Sequence, residues 1–274
     1  YMAYGISKGG SDWREFFVKD LKTNELLEDH IKWAKNSGMT WYKNGFFYSR
    51  FPAPKEGDEL KGENKNSKVY YHKIGTEQKD DKLIYENPEF PERSFYASVT
   101  EDEKFLILYV MESTTGNMLY FKDLEKKNSE FIKLVDDFEN DYSPIDHING
   151  KFYIKTNYNA PKYKLMSVEV DNYGRENWVD VIPEGKGVLS SVSIVGGKIF
   201  AKFFEDVHDI IRVYDLEGNY QYDVEMPTAG SVGGFYGDME DEFTFFSFTS
   251  YTFPYTVYKY NIKENTYELF SKLN

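Results

Sequence analysis

Apolar and polar residues along this chain recur as short segments in a fixed order. One segment is a strand that ends in a polar residue followed by an aliphatic one. It occurs six times, at 16–21, 69–74, 119–124, 165–170, 211–216 and 257–262. The polar residues lie at positions 20, 73, 123, 169, 215 and 261, so successive steps are 53, 50, 46, 46 and 46 residues. A spacing this regular indicates a structural repeat.

Each repeat contains further strands around that segment. An apolar strand precedes it in five repeats, at 46–51, 105–111, 152–156, 199–204 and 243–248. A fourth strand follows it, at 26–27, 82–85, 130–135, 178–182, 222–226 and 267–273. The pairs Asn44-Gly45, Asn149-Gly150 and Gly196-Gly197 between apolar runs predict hairpin turns, since these residues accept positive φ at low cost. Four antiparallel strands in each repeat of this length are typical of a propeller blade.

The pattern therefore predicts an all-β fold, a β-propeller of four-stranded antiparallel blades, with about six blades in this chain and between one further strand and one further blade expected on the N-terminal side. We expect one domain over residues 1–274. Its first blade starts at the second strand, residues 1–7, so we expect the domain to be incomplete at its N-terminus and the chain to be part of a longer protein. The polar stretch 52–68 predicts a mobile surface loop within the second repeat.

Composition supports this fold and excludes several functions. The 24 Tyr, 22 Phe and 4 Trp suit half-buried strands. A net charge of −13 argues against binding to nucleic acid or to an anionic membrane, because both require clustered Lys and Arg. The longest apolar run, 105–111, is far shorter than the roughly 20 residues of a membrane-spanning helix. With no Cys, the chain has neither disulfides nor thiolate zinc ligands.

No group of residues in the sequence forms a catalytic centre. Gly5-Ile6-Ser7-Lys8-Gly9 matches G-x-S-x-G, but another strand follows it and not a helix, so we interpret it as a hairpin turn. The four histidines, at 30, 72, 147 and 208, lie in different repeats without ligand-like spacing, so we expect no metal and no cofactor. The acidic run 136–141 is predicted to connect two blades. Pairs of aromatic residues at 16–17, 46–47, 70–71, 203–204 and 245–246 are predicted to form the core between blades.

Several segments resemble those of one family. Ala3-Tyr4-Gly5-Ile6-Ser7 with Gly10-Ser11-Asp12-Trp13 resembles the AYG-S…GSDW segment of prolyl oligopeptidases. Residues 69–78, VYYHKIGTEQ, resemble that family's YYH-x-LGT-D/E-Q segment, and 133–139, 156–163 and 248–258 are similar to further segments in the same order. The resemblance covers nearly the whole chain.

The resemblance implies a fold and a division of work. In that family a seven-bladed propeller caps an α/β-hydrolase domain with a Ser-Asp-His triad, and the enzyme cleaves short peptides after proline. Only the propeller matches here, so the resemblance implies that this segment filters and shields substrate while the hydrolase domain of the same polypeptide catalyses. The expected partners are that domain and short proline-containing peptides, with no nucleic acid and no membrane. We expect a cytoplasmic location, with the periplasm as the alternative.

The resemblance also suggests which residues line the substrate cavity. Alignment places the family's cavity positions at Asn36, Ser94, Met111 and Thr114. Only Thr114 agrees with a bacterial form of the family motif, so Thr114 is the substrate-binding residue that the resemblance implies. Two other readings remain open: a related peptidase of the oligopeptidase B or dipeptidyl-peptidase type, and a non-catalytic propeller that binds peptides or proteins.

Overall fold

The computed structural model describes residues 1–55, 57–58 and 62–272, and these residues form six antiparallel sheets. Five sheets have four strands and one has three, each with its strands in chain order, and we number them blades I to VI. The only helices in the described ranges are two single 3₁₀ turns, Gln78–Asp80 and Arg175–Asn177. The predicted all-β fold of antiparallel blades is therefore confirmed. Residues 56 and 59–61 of the predicted loop 52–68 lie outside the described residues.

The chain divides into two compact units, and the first, Tyr1–Glu139, contains blades I to III. Blade I consists of β1 (Met2–Ser7), β2 (Trp13–Lys19) and β3 (Leu26–Lys35). Blade II consists of β4 (Met39–Tyr42), β5 (Gly45–Arg50), β6 (Lys68–Lys73) and β7 (Lys82–Glu86). Blade III consists of β8 (Ser94–Val99), β9 (Phe105–Met111), β10 (Met118–Asp123) and β11 (Ile132–Val135).

The second unit, Asn140–Asn274, contains blades IV to VI. Blade IV consists of β12 (Tyr142–Ile148), β13 (Lys151–Thr156), β14 (Lys164–Glu169) and β15 (Val179–Ile182). Blade V consists of β16 (Val188–Val195), β17 (Lys198–Glu205), β18 (His208–Tyr214) and β19 (Tyr220–Asp223). Blade VI consists of β20 (Ser231–Tyr236), β21 (Phe243–Thr249), β22 (Thr256–Asn261) and β23 (Thr266–Lys272).

The repeated polar residue has a structural role at the end of the third strand of a blade. Asp123 Oδ1 accepts the N–H of Glu125, and Asp215 Oδ1 accepts the N–H of Asn219. Asn261 Oδ1 accepts the N–H of Glu264 in the same way. A side chain that binds the backbone two to four residues further on fixes a turn. The repeat in the sequence is thus a series of turns that lead into the fourth strand.

The aliphatic residue after that polar residue ties the third strand to the turn between the first two strands. The N–H of Ile262 donates to the carbonyl of Glu242, and the N–H of Val170 donates to that of Gly150. Ile262 is also buried in the core of blades V and VI. The polar–aliphatic pair therefore combines a turn, a hydrogen bond and a core contact in two residues, which explains why the pair recurs.

Two of the three predicted hairpin turns have the expected form, and one differs. Asn149-Gly150 and Gly196-Gly197 form two-residue turns in which both φ values are positive. In blade II the turn is Lys43-Asn44, and Gly45 is already the first residue of β5. Gly45 is needed there for a different reason: a Cβ would lie 2.1 Å from the carbonyl oxygen of His72. The prediction of an Asn44-Gly45 turn was wrong by one residue.

Strand bounds differ from the predictions most at the fourth strands. In blade I the predicted segment 26–27 is a strand of ten residues, Leu26–Lys35, because the whole of β3 pairs with β2 through two bulges. In blade V the fourth strand is Tyr220–Asp223, earlier than the predicted 222–226. No helix among the described residues has the length and apolar character required to cross a membrane.

The aromatic pairs are only half buried, which corrects the prediction that they form the core. Phe203 and Phe246 are buried, but their neighbours Phe204 and Phe245 are 48% and 43% exposed. Successive side chains of a strand point to opposite faces, so one member of a pair leaves the core whenever that face meets solvent. Two pairs differ: both residues of Phe46-Phe47 are buried, and both residues of Tyr70-Tyr71 are only partly buried.

Candidate functional site

The predicted substrate residue Thr114 lies at one end of blade III. Ser94 is the first residue of β8 and pairs directly with Met111, the last residue of β9. Thr114 follows in the turn between β9 and β10 and is exposed. In an antiparallel sheet the start of the first strand and the turn after the second lie at the same end. The structure therefore brings Ser94, Met111 and Thr114 to one end of this blade, which we call the Thr114 end.

The turn that carries Thr114 is held by its neighbours. Ser113 Oγ donates to the carbonyl of Thr115 at 2.9 Å and accepts the N–H of Thr115 at 3.3 Å. Gly116 has a φ of 71°, and a Cβ there would lie 1.9 Å from the carbonyl oxygen of Phe138. Only glycine combines that φ with so close a backbone contact at no cost. The turn therefore presents Thr114 from a fixed backbone.

An arginine that the sequence did not indicate lies at the same end. Arg93 immediately precedes β8, and its Nε donates to Glu112 Oε1 at 2.6 Å. Its guanidinium lies 3.8 Å from the ring centroid of Phe90 and 5.2 Å from that of Phe138. Only 12% of the Arg93 side chain is exposed, so the aromatic rings and Glu112 fix its position. Glu112 neutralises its charge, and the Thr114 end offers hydrogen-bonding groups without a free cation.

The fourth predicted cavity residue, Asn36, belongs to a different sheet. It follows the last residue of β3 in blade I and is exposed with a φ of 49°. The backbone on both sides of it is anchored: the carbonyl of Trp33 accepts the N–H of Phe51 at 3.1 Å, and Ser37 Oγ accepts the N–H of Ser49 at 2.9 Å. Asn36 occupies the connection between blades I and II, as Ser94 borders the connection between blades II and III.

The G-x-S-x-G match lies in a hairpin and the acidic run 136–141 lies in a connection between blades, as predicted. Gly5 to Ser7 lie in β1, residues 8–12 turn the chain, and β1 pairs antiparallel with β2, so the G-x-S-x-G match is a hairpin. Asp206 and Val207 form the turn of the hairpin β17–β18, and 136–141 connect β11 to β12. In the described ranges no group of three or more His, Cys, Asp or Glu side chains is arranged so that it could hold a metal ion.

Among the described residues, a cluster of buried ionisable groups joins two blades, and the sequence analysis missed it. His72 on β6 has a fully buried side chain. Its Nδ1 lies 2.6 Å from Asp81 Oδ1 and its Nε2 lies 2.9 Å from Asp29 Oδ1. Asp29 is on β3, so this Asp29–His72–Asp81 cluster joins blades I and II. Because Asp29 precedes His72 by 43 residues, no local spacing in the sequence signals the cluster.

Further side chains complete the cluster. Tyr48 donates its hydroxyl to Asp81 Oδ2 at 2.6 Å, and the N–H of Gly75 donates to Asp29 Oδ1 at 2.7 Å. Burial, followed by the hydrogen bond to Asp81, raises the pKa of Tyr48 far above its ordinary value. Burial by itself lowers the pKa of His72, but its hydrogen bonds to Asp81 and Asp29 outweigh that effect, so the pKa of His72 is raised. His72, Gly75 and Gln78 all belong to the VYYHKIGTEQ segment, which is therefore a contact between blades.

Comparison with known proteins identifies the fold. A family described as "Prolyl oligopeptidase, N-terminal beta-propeller domain" matches residues 1–272. A prolyl endopeptidase of Elizabethkingia meningoseptica is 36% identical over 99% of this chain and 38% of its own length.

Two solved structures agree with that match. One, from a study of two prolyl endopeptidases and inter-domain dynamics, has a TM-score of 0.88 at 28% identity and covers 98% of this chain and 39% of that one. The other, prolyl oligopeptidase B of Galerina marginata bound to a 35mer hydrolysis and macrocyclization substrate, has a TM-score of 0.88 at 26% identity and covers 99% and 40%. The propeller fold is thereby confirmed, and the chain spans about two fifths of the length of the proteins it matches.

Proposed function

The chain belongs to the prolyl oligopeptidase family, as its N-terminal β-propeller domain, and from that premise we propose that it is the substrate-gating domain of a serine peptidase that cleaves short peptides after proline. The observation that carries the proposal is the family match along residues 1–272. The partners proposed are an α/β-hydrolase domain of the same polypeptide, which supplies the catalytic groups, and short proline-containing peptides.

In this proposal the propeller selects peptide substrates by size and shields the catalytic groups. A rigid cap of packed blades limits the size of a peptide that reaches the catalytic groups and keeps bulk water away from them. The Thr114 end supports this role, because the hydroxyl groups of Ser94 and Thr114 and the thioether of Met111 lie at one end of blade III. We place the protein in the cytoplasm, with the periplasm as the alternative.

A comparison of this chain with the longer protein that contains it tests the proposal. Both are incubated with a fluorogenic proline-containing peptide and with a covalent serine-directed inhibitor. We expect the longer protein to hydrolyse the peptide, the inhibitor to abolish that turnover, and this chain alone to hydrolyse nothing. Inhibitor-sensitive turnover by this chain alone would contradict the division of work.

The second candidate is a propeller that binds peptides or proteins without catalysis. It is favoured by the Thr114 end, where Glu112 neutralises the charge of Arg93 and Thr114 is exposed. The same experiment separates the two candidates. A longer protein that binds proline-containing peptides but does not turn them over supports the second and contradicts the first.

A substitution at the Thr114 end tests substrate contact. In the longer protein we expect Thr114→Ala to raise KM for a short proline-containing peptide about three- to tenfold with little change in kcat, the loss of one hydrogen bond. Thr115→Ala in the same turn is the control, because Thr115 meets Ser113 through its backbone. Equal KM values for the two variants would remove Thr114 from the substrate site.

A further inference from the structure

The hydrogen bonds around the Asp29–His72–Asp81 cluster determine where its protons are. Asp29 Oδ1 already accepts the N–H of Gly75, so it faces His72 Nε2 as an acceptor. Tyr48 accepts from Gln78 Nε2 at 3.3 Å and gives its own proton to Asp81 Oδ2. Asp81 Oδ1 is then left to face His72 Nδ1. Both nitrogens of the imidazole meet carboxylate oxygens, and a neutral imidazole can donate from only one nitrogen.

The arrangement is satisfied when His72 is an imidazolium that donates to both aspartates. Removing one proton leaves a lone pair against a carboxylate within 2.9 Å, in a site that water does not reach. The carboxylate that loses its donor is then a buried charge without a cation beside it, and such a charge is strongly destabilising. We propose that the Asp29–His72–Asp81 cluster is a proton-operated latch, which holds blade II on blade I while the imidazole carries two protons and releases this contact when the pH rises and one proton leaves.

The latch controls a definite segment of backbone. The segment 75–80 between β6 and β7 lies against the free edge of β3, where Gly75 binds Asp29. Gln78 completes the contact, since its Oε1 accepts the N–H of Lys32 at 3.1 Å and its Nε2 donates to the carbonyl of Lys32 at 3.0 Å. The side chain of Gln78 thus replaces a neighbouring strand at that edge. Weakening the cluster weakens both contacts.

Among the described residues, the polar groups that hydrogen-bond to the imidazole, directly or through Asp81, favour its protonated form. They are Asp29 from β3, Asp81 from the connection to β7 and, through Asp81, the hydroxyl of Tyr48 from β5. The ring of Phe46, also from β5, lies 5.2 Å from the imidazole and carries no charge. The two carboxylates outweigh burial and raise the pKa of His72 above its ordinary value. A raised pKa in the folded state means that the stabilisation is complete below about pH 6.5 and is lost as the pH rises through the raised value.

Release of the latch widens a cleft that is already open in the structure. A cleft of about 670 Å³ borders the cluster and is lined by Leu27, Asp29, His30, Gly75, Glu77 and Gln78, among others. Because its walls come from β3 and from the segment 75–80, separation of these two elements widens it. The device therefore couples alkaline pH to opening at the junction of blades I and II.

Nitrogen chemical shifts of the histidines test the protonation of the latch directly. The chain is labelled with ¹⁵N-histidine, and long-range ¹H–¹⁵N spectra are recorded from about pH 5.5 to 9.5, with the four signals assigned from single His→Gln variants. We expect both His72 nitrogens to be protonated at pH 6.5 and His72 to lose a proton only at a higher pH. A neutral tautomer of His72 at pH 6.5 would overturn the proposal.

Amide exchange tests the release. We expect the protection of the Gly75 and Lys32 amides, corrected for chemical exchange, to fall about tenfold or more once His72 deprotonates. The control is the amide of Val232 in the second unit, which also donates to a carboxylate, Asp209 Oδ2 at 2.8 Å, but this carboxylate is paired with Lys202 Nζ at 3.8 Å. Parallel pH profiles for Gly75, Lys32 and Val232 would contradict the latch. In His72→Gln, protection at Gly75 should be low and no longer depend on pH.

Discussion

Two junctions between blades, one in each compact unit, are built from opposite chemistry. Blades I and II meet through the Asp29–His72–Asp81 cluster, in which three ionisable side chains are buried. Blades V and VI meet through stacked rings: Phe235 of β20 stacks on Phe200 of β17 at 5.0 Å and on Phe246 of β21 at 4.9 Å. Blades of the same topology can therefore be joined by ions or by aromatic packing.

Polar groups at the junction of blades V and VI are mostly uncharged. Tyr260 donates its hydroxyl to Asn265 Oδ1 at 2.6 Å and lies 3.3 Å from the hydroxyl of Tyr222. Two lysines of β17 also contact blade VI. Lys198 donates to Tyr222 at 3.1 Å and to the carbonyl of Ile262 at 3.3 Å, and Lys202 donates to the carbonyl of Val232 at 3.0 Å. Burial and the hydrogen bond to Tyr222 raise the pKa of Tyr260 far above its ordinary value. With its pKa raised, Tyr260 keeps its proton near neutral pH, so this junction is expected to be insensitive to pH where the other is sensitive.

The largest effect should come from the aromatic junction. Phe246→Ala removes a ring that is 1% exposed and contacts Phe235, Tyr258 and Tyr267. We expect the free energy of unfolding to fall by about 3–5 kcal/mol, equally at pH 6 and pH 9, because the loss is a cavity and not a charge. Denaturant unfolding at both pH values measures it. The control is Phe245→Ala on the exposed face of the same strand, and an equal loss there would show that burial does not decide the effect.

Asp81→Asn should break the charged junction with a somewhat smaller loss. We expect about 3 kcal/mol at pH 6, where His72 is fully protonated and has lost one of its two carboxylates. The pKa of His72 should also be raised less, so stability should begin to fall at a lower pH than in the unmodified chain.

The neighbouring residue provides the matched control for that variant. Asp80 is exposed and is the last residue of the 3₁₀ turn Gln78–Asp80, immediately before Asp81. Asp80→Asn therefore changes the net charge by the same amount without touching His72. We expect Asp80→Asn to change stability by less than about 0.5 kcal/mol. If Asp80→Asn and Asp81→Asn gave the same pH profile, the alkaline loss would be a property of the overall charge and not of the cluster.

The smallest effect should be that of Tyr222→Phe, which changes a hydroxyl group at the aromatic junction of blades V and VI. Loss of one hydroxyl from the Lys198–Tyr222–Tyr260 group should cost about 1 kcal/mol at any pH between 6 and 9. Tyr220→Phe is the control, since Tyr220 lies on the same strand and is largely exposed. A pH-dependent loss in Tyr222→Phe would mean that the junction of blades V and VI also contains a titrating group.

Sequence patterns were informative where contacts are local. The polar–aliphatic pair located the third strand of each blade, because both its turn and its backbone hydrogen bond lie within one repeat. Hairpin turns were found where positive φ requires Asn or Gly, as at Asn149-Gly150. The error at Gly45 arose because that glycine responds to His72, which is 27 residues away in the chain.

The candidate site was predictable only in part. Resemblance named Ser94, Met111 and Thr114, and pairing within blade III brings them to one end. Arg93 was missed, since its neighbours Glu112 and Phe138 come from other elements. The role of Thr114 stays a prediction until substrate binding is measured.

The repeat and the strand order within blades could be predicted from the residues of the chain alone, because apolar periodicity and turn residues act over a few positions. Which member of each aromatic pair is buried, and which two carboxylates meet His72, could be known only from the packing of the blades. Those outcomes depend on which blade faces a given side chain, and residues 43 positions apart become neighbours only when two sheets pack together.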